Sequence, residues 1–338
     1  MMPARELVSV VIPCLNEEDN IRPLYERLAP TLEQASVDFE LIFSIDPSTD
    51  RTEELVRELH GADPRVKLIR LSRRFGQPAA TMAGLRMSSG DACVVIDADL
   101  QDPPEIIAEM IERWREGFDV VFGQRRTRQG ETLAKRIVAA LGYRVIKRIA
   151  EVEIPPNTGD FRLMSRRAVD EILRLHETHG FLRGLVGLVG FPQTAVAYDR
   201  DPRGGGSGKY NRFWGSIRIG LNGVVGFSRY PLHLISLLGL VFFLIAMVLG
   251  FTYLVLAIVN VDVPWGNPTL VMLISLFSGV QLLSLGVMGE YVGRIYDEVK
   301  RRPMFIVESL EGFAQGPGAE TPARPDSTAT LRAGARHP

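Results

Sequence analysis

Two aspartates separated by one residue come directly after a short apolar run, in the stretch Val94–Gln101 (VVIDADLQ). Carboxylate oxygens at the end of a buried strand suit Mg²⁺ or Mn²⁺, which take their remaining ligands from water and substrate phosphates. A lone Asp-x-Asp is also common in turns and helix caps, but here Pro103 and Pro104 follow it closely. The sequence therefore predicts Asp97 and Asp99 as ligands of a divalent ion that would neutralise a diphosphate leaving group.

A second polar group follows the first apolar run, Val8–Pro13. A dinucleotide-binding fold would place a glycine-rich loop here, and this sequence has none at that point. Asn16 suits the N-cap of a following helix, and Glu17 and Glu18 in the first turn would suit the helix dipole. Capping is thus part of the role of this group, and the residues alone leave ligand binding open.

Two further aspartates have roles that their neighbours leave open. Asp46 ends the second apolar run, where its carboxylate could accept a hydrogen bond from a base or a ribose. A turn that continues into a helix capped by Ser48 or Thr49 explains Asp46 equally well. Asp160 is a candidate for substrate contact, and the alternative is a turn carboxylate paired with Arg162.

Basic residues cluster after the fifth apolar run. Guanidinium groups match the geometry of phosphate oxygens, so a phosphate-binding role is the hypothesis that the neighbouring acidic site favours. Taken without that site, a solvated run of charge would be the simpler interpretation. The residues concerned are Arg125, Arg126, Arg128, Lys135 and Arg136.

Short apolar runs alternate with helical patterns along the first third of the chain. Such alternation predicts an α/β fold with a mainly parallel sheet and helices on both faces. Ligands of these sheets bind at the carboxyl ends of the strands, where the acidic motifs fall. The predicted strands are Val8–Pro13, Phe39–Ile45, Val66–Leu71, Ala92–Ile96 and Val120–Gly123, with helices over Thr52–Leu59, Gln77–Met87 and from Pro103 toward Trp114.

Composition excludes several classes of protein. The formal net charge of −1 gives no overall basic field, so nucleic acid is not an expected partner. Cys14 and Cys93 lie in apolar runs far apart and are expected to be buried thiols, and the five histidines show no ligand spacing. No signal peptide is expected at the N-terminus, which places the first domain in the cytoplasm.

Two long stretches without charge follow the α/β part. They lie between Arg229 and Asp262 and between Asp262 and Glu290, and each exceeds the roughly 20 residues of a membrane-spanning helix. A pair of helices buried in a large core is the alternative. Lysine and arginine flank the pair but are absent from 260–268, so the positive-inside rule predicts cytoplasmic termini and a multi-pass protein of the cytoplasmic membrane.

These patterns divide the chain into five predicted parts. Residues 211–229 have an amphipathic pattern, which predicts a helix lying in the membrane interface or one packed on the soluble domain. Residues after 312 are rich in Pro, Ala, Thr and Gly and are expected to be disordered. The division is a catalytic domain at 1–210, the amphipathic helix at 211–229, two membrane-spanning helices at 230–289, a juxtamembrane segment at 290–312 and a tail at 313–338.

Taken together, the ordered motifs resemble the polyprenyl-phosphate glycosyltransferases of glycosyltransferase family 2. The resemblance extends from about Val8 to Val307, and the segment after the second charge-free stretch is similar to the two-span bacterial branch. It implies a GT-A fold, a nucleotide-sugar donor, a polyprenyl phosphate acceptor and an inverting transfer that depends on Mg²⁺ or Mn²⁺. The motifs are Ser9–Glu18, Phe75–Gln77, Asp97–Pro104, Gly159–Arg162, Phe181–Gly184 and Gly289–Tyr296.

The resemblance also implies roles for individual residues. Asp97 and Asp99 would serve the nucleotide and the metal, with Gln101 assisting the metal, and Asp160 would lie near the transferred sugar. The remaining implied roles are nucleotide binding by Pro13, Asn16, Glu17 and Asp46, acceptor phosphate binding by Arg125 and by Lys135 or Arg136, and closure over the donor by a loop with Arg203 and Lys209.

The sequence departs from the family pattern at four positions, of which the first two leave UDP and GDP both open as the nucleotide. They are Ile45, Pro47, Arg74 and Gly208. Two alternatives stay in view, namely a glycosyltransferase acting on another membrane lipid and a non-enzymatic membrane scaffold with a degenerate nucleotide site. A processive polysaccharide synthase is disfavoured because its Gln-x-x-Arg-Trp motif is absent. A homo-oligomer is left open.

Overall fold

The computed structural model describes six parts of the chain, residues 5–126, 158–175, 182–200, 230–259, 267–300 and 302–313. Several predictions fall elsewhere and lie outside the described residues. These are the roles of Lys135, Arg136, Arg203 and Lys209, the amphipathic helix at 211–229 and the tail after residue 313.

One eight-stranded sheet organises the α/β part, with the strand order β7-β5-β6-β4-β1-β2-β3-β8. Its strands are β1 (Leu7–Cys14), β2 (Asp38–Ile45), β3 (Val66–Leu71), β4 (Ala92–Val95), β5 (Val120–Arg125), β6 (Thr158–Ser165), β7 (Gln193–Tyr198) and β8 (Val307–Glu311). The helices are α1 (Glu18–Gln34), α2 (Thr52–Ala62), α3 (Gln77–Met87), α4 (Ile107–Arg115), α5 (Arg166–Arg174), α6 (Leu182–Val189), α7 (Tyr230–Ile258) and α8 (Asn267–Val299), and a short 3₁₀ turn at Pro104–Ile106 precedes α4.

The centre of the sheet is parallel, as the sequence predicts. Strands β4, β1, β2 and β3 run side by side in the same direction. Their apolar side chains are buried on both faces, as expected for parallel strands covered by helices. Strand β6 enters antiparallel between β4 and β5, which aligns the start of β6 with the carboxyl ends of its neighbours.

Helix α3 packs closely on β1 through a glycine. A Cβ atom added at Gly84 would lie 2.2 Å from Cγ1 of Val11, which is itself fully buried. The absence of a side chain at Gly84 therefore sets how closely α3 approaches the sheet. The same helix begins at Gln77, beside the candidate site, so this packing also positions a part of that site.

Gly84→Ala is expected to lower the free energy of unfolding by about 1–3 kcal/mol, because the added methyl group forces the helix or Val11 to move. Thermal denaturation of the purified protein measures this change. Gly61→Ala is the matched control, since Gly61 lies in α2 with nothing within 4 Å of the added Cβ. The control should be as stable as the wild type or up to about 1 kcal/mol more stable. Equal stability of both variants would contradict the proposed close packing.

The chain returns to the sheet after the two long helices. Strand β8 pairs antiparallel with β3 at the sheet edge, with Ile69 opposite Leu310. The predicted division ends the catalytic domain at 210 and assigns 290–312 to a juxtamembrane segment, and it stays a prediction. The sheet of the catalytic domain includes a strand from that segment. The local patterns of the first 210 residues do not predict this strand, because it lies far along the chain.

Helices α7 and α8 present many apolar side chains to the surroundings, among them Phe243, Phe251, Leu282 and Leu283. They contact each other through Phe242 and Phe277, whose ring centroids are 5.6 Å apart. Within the part of the chain that the structure describes, no helix meets the length and apolarity needed to cross a membrane. The predicted membrane-spanning helices stay a prediction.

Candidate active site at the carboxyl edge of the sheet

The loops that follow β1 and β2 are joined by hydrogen bonds at the carboxyl edge. The Asn16 side-chain oxygen accepts from the backbone N–H of Thr49 at 2.8 Å, and the backbone N–H of Asn16 donates to the Ser48 hydroxyl at 3.1 Å. Asn16 has a φ of 53°, a left-handed conformation that asparagine tolerates better than most residues. The loop geometry, with Pro13 and Glu17 on either side of Asn16, therefore depends on contacts between two strand ends.

Both predicted helix caps in these loops are wrong. Helix α1 begins at Glu18, and Asn16 does not cap it because its oxygen is engaged by Thr49. At the start of α2 the backbone N–H of Thr52 donates to Asp50 at 3.1 Å, rather than to Ser48 or Thr49. The nucleotide-binding roles of Pro13, Asn16 and Glu17 stay predictions.

Asp46 is buried and holds the loop that precedes α3. Its two carboxylate oxygens accept hydrogen bonds from the backbone N–H groups of Phe75, at 3.0 Å, and Gly76, at 2.8 Å. Gly76 has a φ of 94°, which only glycine adopts readily. Since both oxygens are used in this way, Asp46 shapes the loop, and its predicted contact with a base or ribose stays a prediction.

That loop ends at Gln77, whose side-chain amide donates to Oδ1 of Asp97 at 2.6 Å. Asp97 and Asp99 lie where predicted, directly after β4. The Asp99 carboxylate accepts from the backbone N–H of Gln101 at 3.2 Å, and Leu100 between them has a φ of 59°. A positive φ at a leucine is strained, and such strain is concentrated at functional sites. The contact between Gln77 and Asp97 was not predicted, since 20 residues separate the two.

Asp97 is surrounded by negative charge. The pKa of its carboxyl group is raised to about 7, first by burial and then by the neighbouring carboxylates of Asp160, Asp102 and Asp99, while Arg125 opposes them. Carboxylates that repel one another in this way favour a cation between them. A divalent ion near Asp97 would relieve this repulsion, and the metal site stays a prediction.

Asp97→Asn is expected to stabilise the metal-free protein at alkaline pH. Because Asp97 holds its proton more tightly in the folded protein than at its usual pKa of 3.8, the free energy of unfolding falls as pH rises from 3.8 to about 7. Asparagine keeps the oxygen that accepts from Gln77 but carries no charge. Thermal unfolding in chelator at pH 5 and pH 8 should show a melting temperature a few degrees higher than wild type at pH 8 only.

The control for this measurement is Asp170→Asn, an exposed carboxylate on α5 that pairs with Arg166 at 2.9 Å. It should not change the pH dependence. If Asp97→Asn melts at the wild-type temperature at pH 8, charge repulsion at the edge is not a source of instability.

Asp160 comes from the start of β6 and is paired with arginine. Arg183 donates to its carboxylate at 2.8 Å. Burial raises the pKa of Asp160, but Arg183, Arg162 and Arg125 outweigh that effect, so the pKa lies below its usual value. Asp160 is therefore ionised at neutral pH. The contact with Arg183 was not predicted, because no local pattern connects α6 to the start of β6.

The alternative pairing of Asp160 with Arg162 is not observed. Arg162 is buried and donates to the backbone carbonyls of Gly159, at 2.8 Å, and of Asp160, at 3.3 Å. The pKa of Arg162 is lowered to about 10, mainly by burial, although the nearby Asp160 carboxylate opposes this effect. Arg162 thus supports the backbone that carries Asp160.

Arg125 lies at the end of β5, at the same edge. Its guanidinium donates through Nε to the Tyr198 hydroxyl at 3.1 Å and through Nη2 to Asp102 at 3.4 Å. Of the basic residues predicted to bind phosphate, Arg125 and Arg126 are described, and Arg126 is exposed and pairs with Asp199 at 3.6 Å. The structure therefore brings Arg125, among these, close to the carboxylates around Asp97.

The oxygen ligands predicted near Asp97 fit a hard divalent cation that takes its remaining ligands from a substrate. Among the described residues, no three His, Cys, Asp or Glu side chains are grouped as a metal site. The predicted set, Asp97, Asp99 and Gln101, supplies two carboxylates and an amide. Mg²⁺ characteristically takes one or two carboxylates and completes its ligands with water and phosphate oxygens.

Comparison with known proteins shows the family of the chain. The glycosyl transferase family 2 model matches residues 9–173. An uncharacterized glycosyltransferase of Bacillus subtilis is 46% identical over 305 residues, which cover 90% of this chain and 94% of the relative. The chain belongs to glycosyl transferase family 2. It is therefore an enzyme that transfers sugars, and its α/β sheet is of the GT-A type, as the sequence predicts.

Two further similarities involve proteins with named substrates. This family 2 glycosyltransferase is 38% identical to a prophage-derived bactoprenol glucosyl transferase of Shigella flexneri, over 89% of this chain and 97% of the relative. The structure of glucosyl-3-phosphoglycerate synthase from Mycobacterium tuberculosis, in complex with Mn²⁺ and UDP-glucose, has a TM-score of 0.43 and 21% identity. That match covers 66% of this chain and 80% of the synthase.

Proposed function

We propose that this family 2 glycosyltransferase moves a sugar from a nucleotide-sugar donor to polyprenyl phosphate, giving a polyprenyl-phosphate sugar with inversion at the anomeric carbon. One observation carries the proposal. At the carboxyl edge of the sheet, the carboxylates around Asp97 lie within electrostatic reach of the guanidinium of Arg125. Carboxylates suit a cation-bound diphosphate, and a guanidinium suits a phosphate, so one edge serves both substrates.

The identity of the acceptor rests on the relatives. Bactoprenol is a polyprenol, and the Shigella flexneri enzyme matches nearly its full length to this chain. The lipid acceptor would present a phosphate monoester, whose second pKa is about 6, so it is largely ionised at neutral pH. A strong general base is therefore dispensable, and Asp160, which is ionised itself, would act by its charge and position near the sugar.

Asp97, Asp99 and Gln101 would hold Mg²⁺ or Mn²⁺. The ion, when bound, supplies charge neutralisation for the diphosphate of the donor. Arg125 binds the acceptor phosphate, an oxygen of which forms the new bond to the anomeric carbon as the bond to the nucleoside diphosphate breaks. Gln77 keeps Asp97 in place, and Arg183 does so for Asp160. Positioning and charge neutralisation thus account for the rate.

The proposed site in the cell is the cytoplasmic membrane, with the catalytic domain and both ends of the chain in the cytoplasm. Support comes from the absence of charge between Arg229 and Asp262 and from the apolar side chains that α7 and α8 expose. Strand β8 returns the chain after α8 to the catalytic sheet, which agrees with both flanks lying on one side. A cysteine introduced at Val263 should react with a membrane-impermeant maleimide added outside intact cells.

The test of function is a donor panel with undecaprenyl phosphate. Full-length protein in nanodiscs is incubated with UDP- and GDP-sugars and Mn²⁺ or Mg²⁺, and the lipids are analysed by mass spectrometry. We expect one donor to give a lipid heavier by one sugar residue, with release of the nucleoside diphosphate. A product on diacylglycerol alone would reassign the acceptor. Absence of any metal-dependent release of nucleotide would instead favour a non-enzymatic scaffold.

A further inference from the structure

Arg125 is held on two sides by residues that the proposed chemistry does not use. Tyr198, from β7, accepts a hydrogen bond from Nε of Arg125 at 3.1 Å and donates its hydroxyl to Oδ1 of Asp102. The same Asp102 oxygen lies 3.4 Å from Nη2 of Arg125. Hydrogen bonds and charge therefore connect these three side chains, which come from β5, β7 and the turn after β4, in a closed triangle.

The backbone leaves room for this triangle at two glycines. A Cβ atom added at Gly159 would lie 2.9 Å from Nη2 of Arg125. One added at Gly123 would lie 2.8 Å from the ring of Tyr198. The guanidinium of Arg125 and the ring of Tyr198 therefore occupy space that a side chain at Gly159 or Gly123 would fill. Their positions depend on the glycine directly before Asp160 in β6 and on the glycine within β5.

The carboxylate of Asp102 lies between two guanidinium groups. Asp102 is 1% exposed, and its Oδ1 lies 3.4 Å from Nη2 of Arg125 and 3.9 Å from Nε of Arg200. Burial, followed by the nearby Asp102 carboxylate, raises the pKa of Tyr198, so its hydroxyl keeps its proton as a donor.

We propose that Asp102 and Tyr198 are positioning residues, which fix the guanidinium of Arg125 for binding the acceptor phosphate. This inference rests on the proposed function, since the acceptor role of Arg125 belongs to it. Two of the five N–H groups of Arg125 are used by Tyr198 and Asp102, and the other three make no hydrogen bond to the described residues. A guanidinium fixed in this way loses less side-chain entropy when it binds phosphate.

The test measures steady-state kinetics of full-length Tyr198→Phe and Asp102→Asn in nanodiscs, with undecaprenyl phosphate and the donor that the panel identifies. Each variant is expected to raise KM for the acceptor about tenfold, as for loss of a hydrogen bond to a charged group, and to leave KM for the donor unchanged. Tyr25→Phe is the matched control. Tyr25 donates to Asp63 at 2.9 Å, and Asp63 also binds Arg65, but this triad lies elsewhere. Its acceptor KM should equal that of the wild type.

A double-mutant cycle separates positioning from a general loss of structure. In an Arg125→Ala background, Tyr198→Phe should have no further effect on acceptor KM, because its effect acts through Arg125. Full additivity of the two effects would overturn the proposal. If Tyr198→Phe melts below the assay temperature, Gly159→Ala tests the same idea by displacing the guanidinium from its other side.

The outcomes distinguish a failure of the proposed function from a failure of the positioning role. If Arg125→Ala itself leaves the acceptor KM unchanged, the acceptor role of Arg125 in the proposed function is wrong. If Arg125→Ala raises the acceptor KM but Tyr198→Phe and Asp102→Asn do not, the proposed function stands and the positioning role fails.

Discussion

Asp99→Ala is expected to lower the rate of sugar transfer by about a thousandfold or more. Loss of one main electrostatic contact to a transition state typically has an effect of this size. Asp99 is one of two carboxylates in the predicted metal set, and Asp97 with the amide of Gln101 would bind a divalent ion more weakly than the full set. Without the ion that these residues would hold, the charge of the diphosphate leaving group would not be neutralised. Initial rates at increasing Mn²⁺ concentration measure the effect, which excess Mn²⁺ should not restore.

The variant also separates metal binding from folding. Asp99 lies in the turn after β4 and accepts a hydrogen bond from the backbone of that turn, so its removal should leave the sheet intact. Asp170→Asn, on α5, is the control carboxylate and should transfer sugar at the wild-type rate. Near-normal transfer by a folded Asp99→Ala enzyme would remove Asp99 from the metal site and, with it, the main electrostatic argument of the mechanism.

The parallel centre of the fold was predictable because apolar residues dominate each of its strands. Burial on both faces produces that pattern, and it is visible in a single sequence. Strand β8 gives no such signal, since Val307–Glu311 is short and carries two glutamates. Its partner β3 lies more than 230 residues earlier, so only the folded chain shows the pairing.

The site was predictable at the level of strand ends and not at the level of contacts. Asp97 and Asp99 follow a buried strand, and that position alone indicates the ligand-binding edge. By contrast, Gln77 contacts Asp97 and Arg183 contacts Asp160, and the residues of each pair are too far apart in the sequence for a local pattern to connect them. The cap assigned to Asn16 failed for the same reason, because a distant backbone N–H at Thr49 competes for its oxygen.

Strand β8 also completes the apolar core, and this makes its contribution to stability large. Phe305, Val307, Leu310 and Phe313 pack against a buried cluster formed by Ile42, Ile69, Leu71, Ala80 and Ala83. The backbone N–H of Ser72 donates to the carbonyl of Ile306 at 2.9 Å, which extends the pairing beyond the strand. Ion pairs at the surface, such as Arg57 with Glu311 at 2.9 Å, add little by comparison.

A chain ending at residue 301 is therefore expected to lose most of its stability. Fully burying a large apolar side chain is worth about 1.5–3 kcal/mol, so four partly buried ones contribute roughly 3–6 kcal/mol. A typical domain is stable by only about 5–15 kcal/mol, and the truncation also exposes the edge of β3. We expect little folded protein after purification in detergent, and a melting temperature lower by ten degrees or more in what remains.

A chain ending at residue 313 is the matched control, because it keeps β8 and Phe313 and removes only the residues that follow. It should melt at the wild-type temperature and transfer sugar at the wild-type rate. Leu310→Asp in the full chain provides a second, smaller perturbation, since it places a charge against Ile69 and the cluster around it. If the chain ending at 301 is as stable as the one ending at 313, β8 does not contribute to the stability of the sheet. If the shorter chain is less stable, the catalytic domain is complete only when the segment after the two long helices has paired with the sheet.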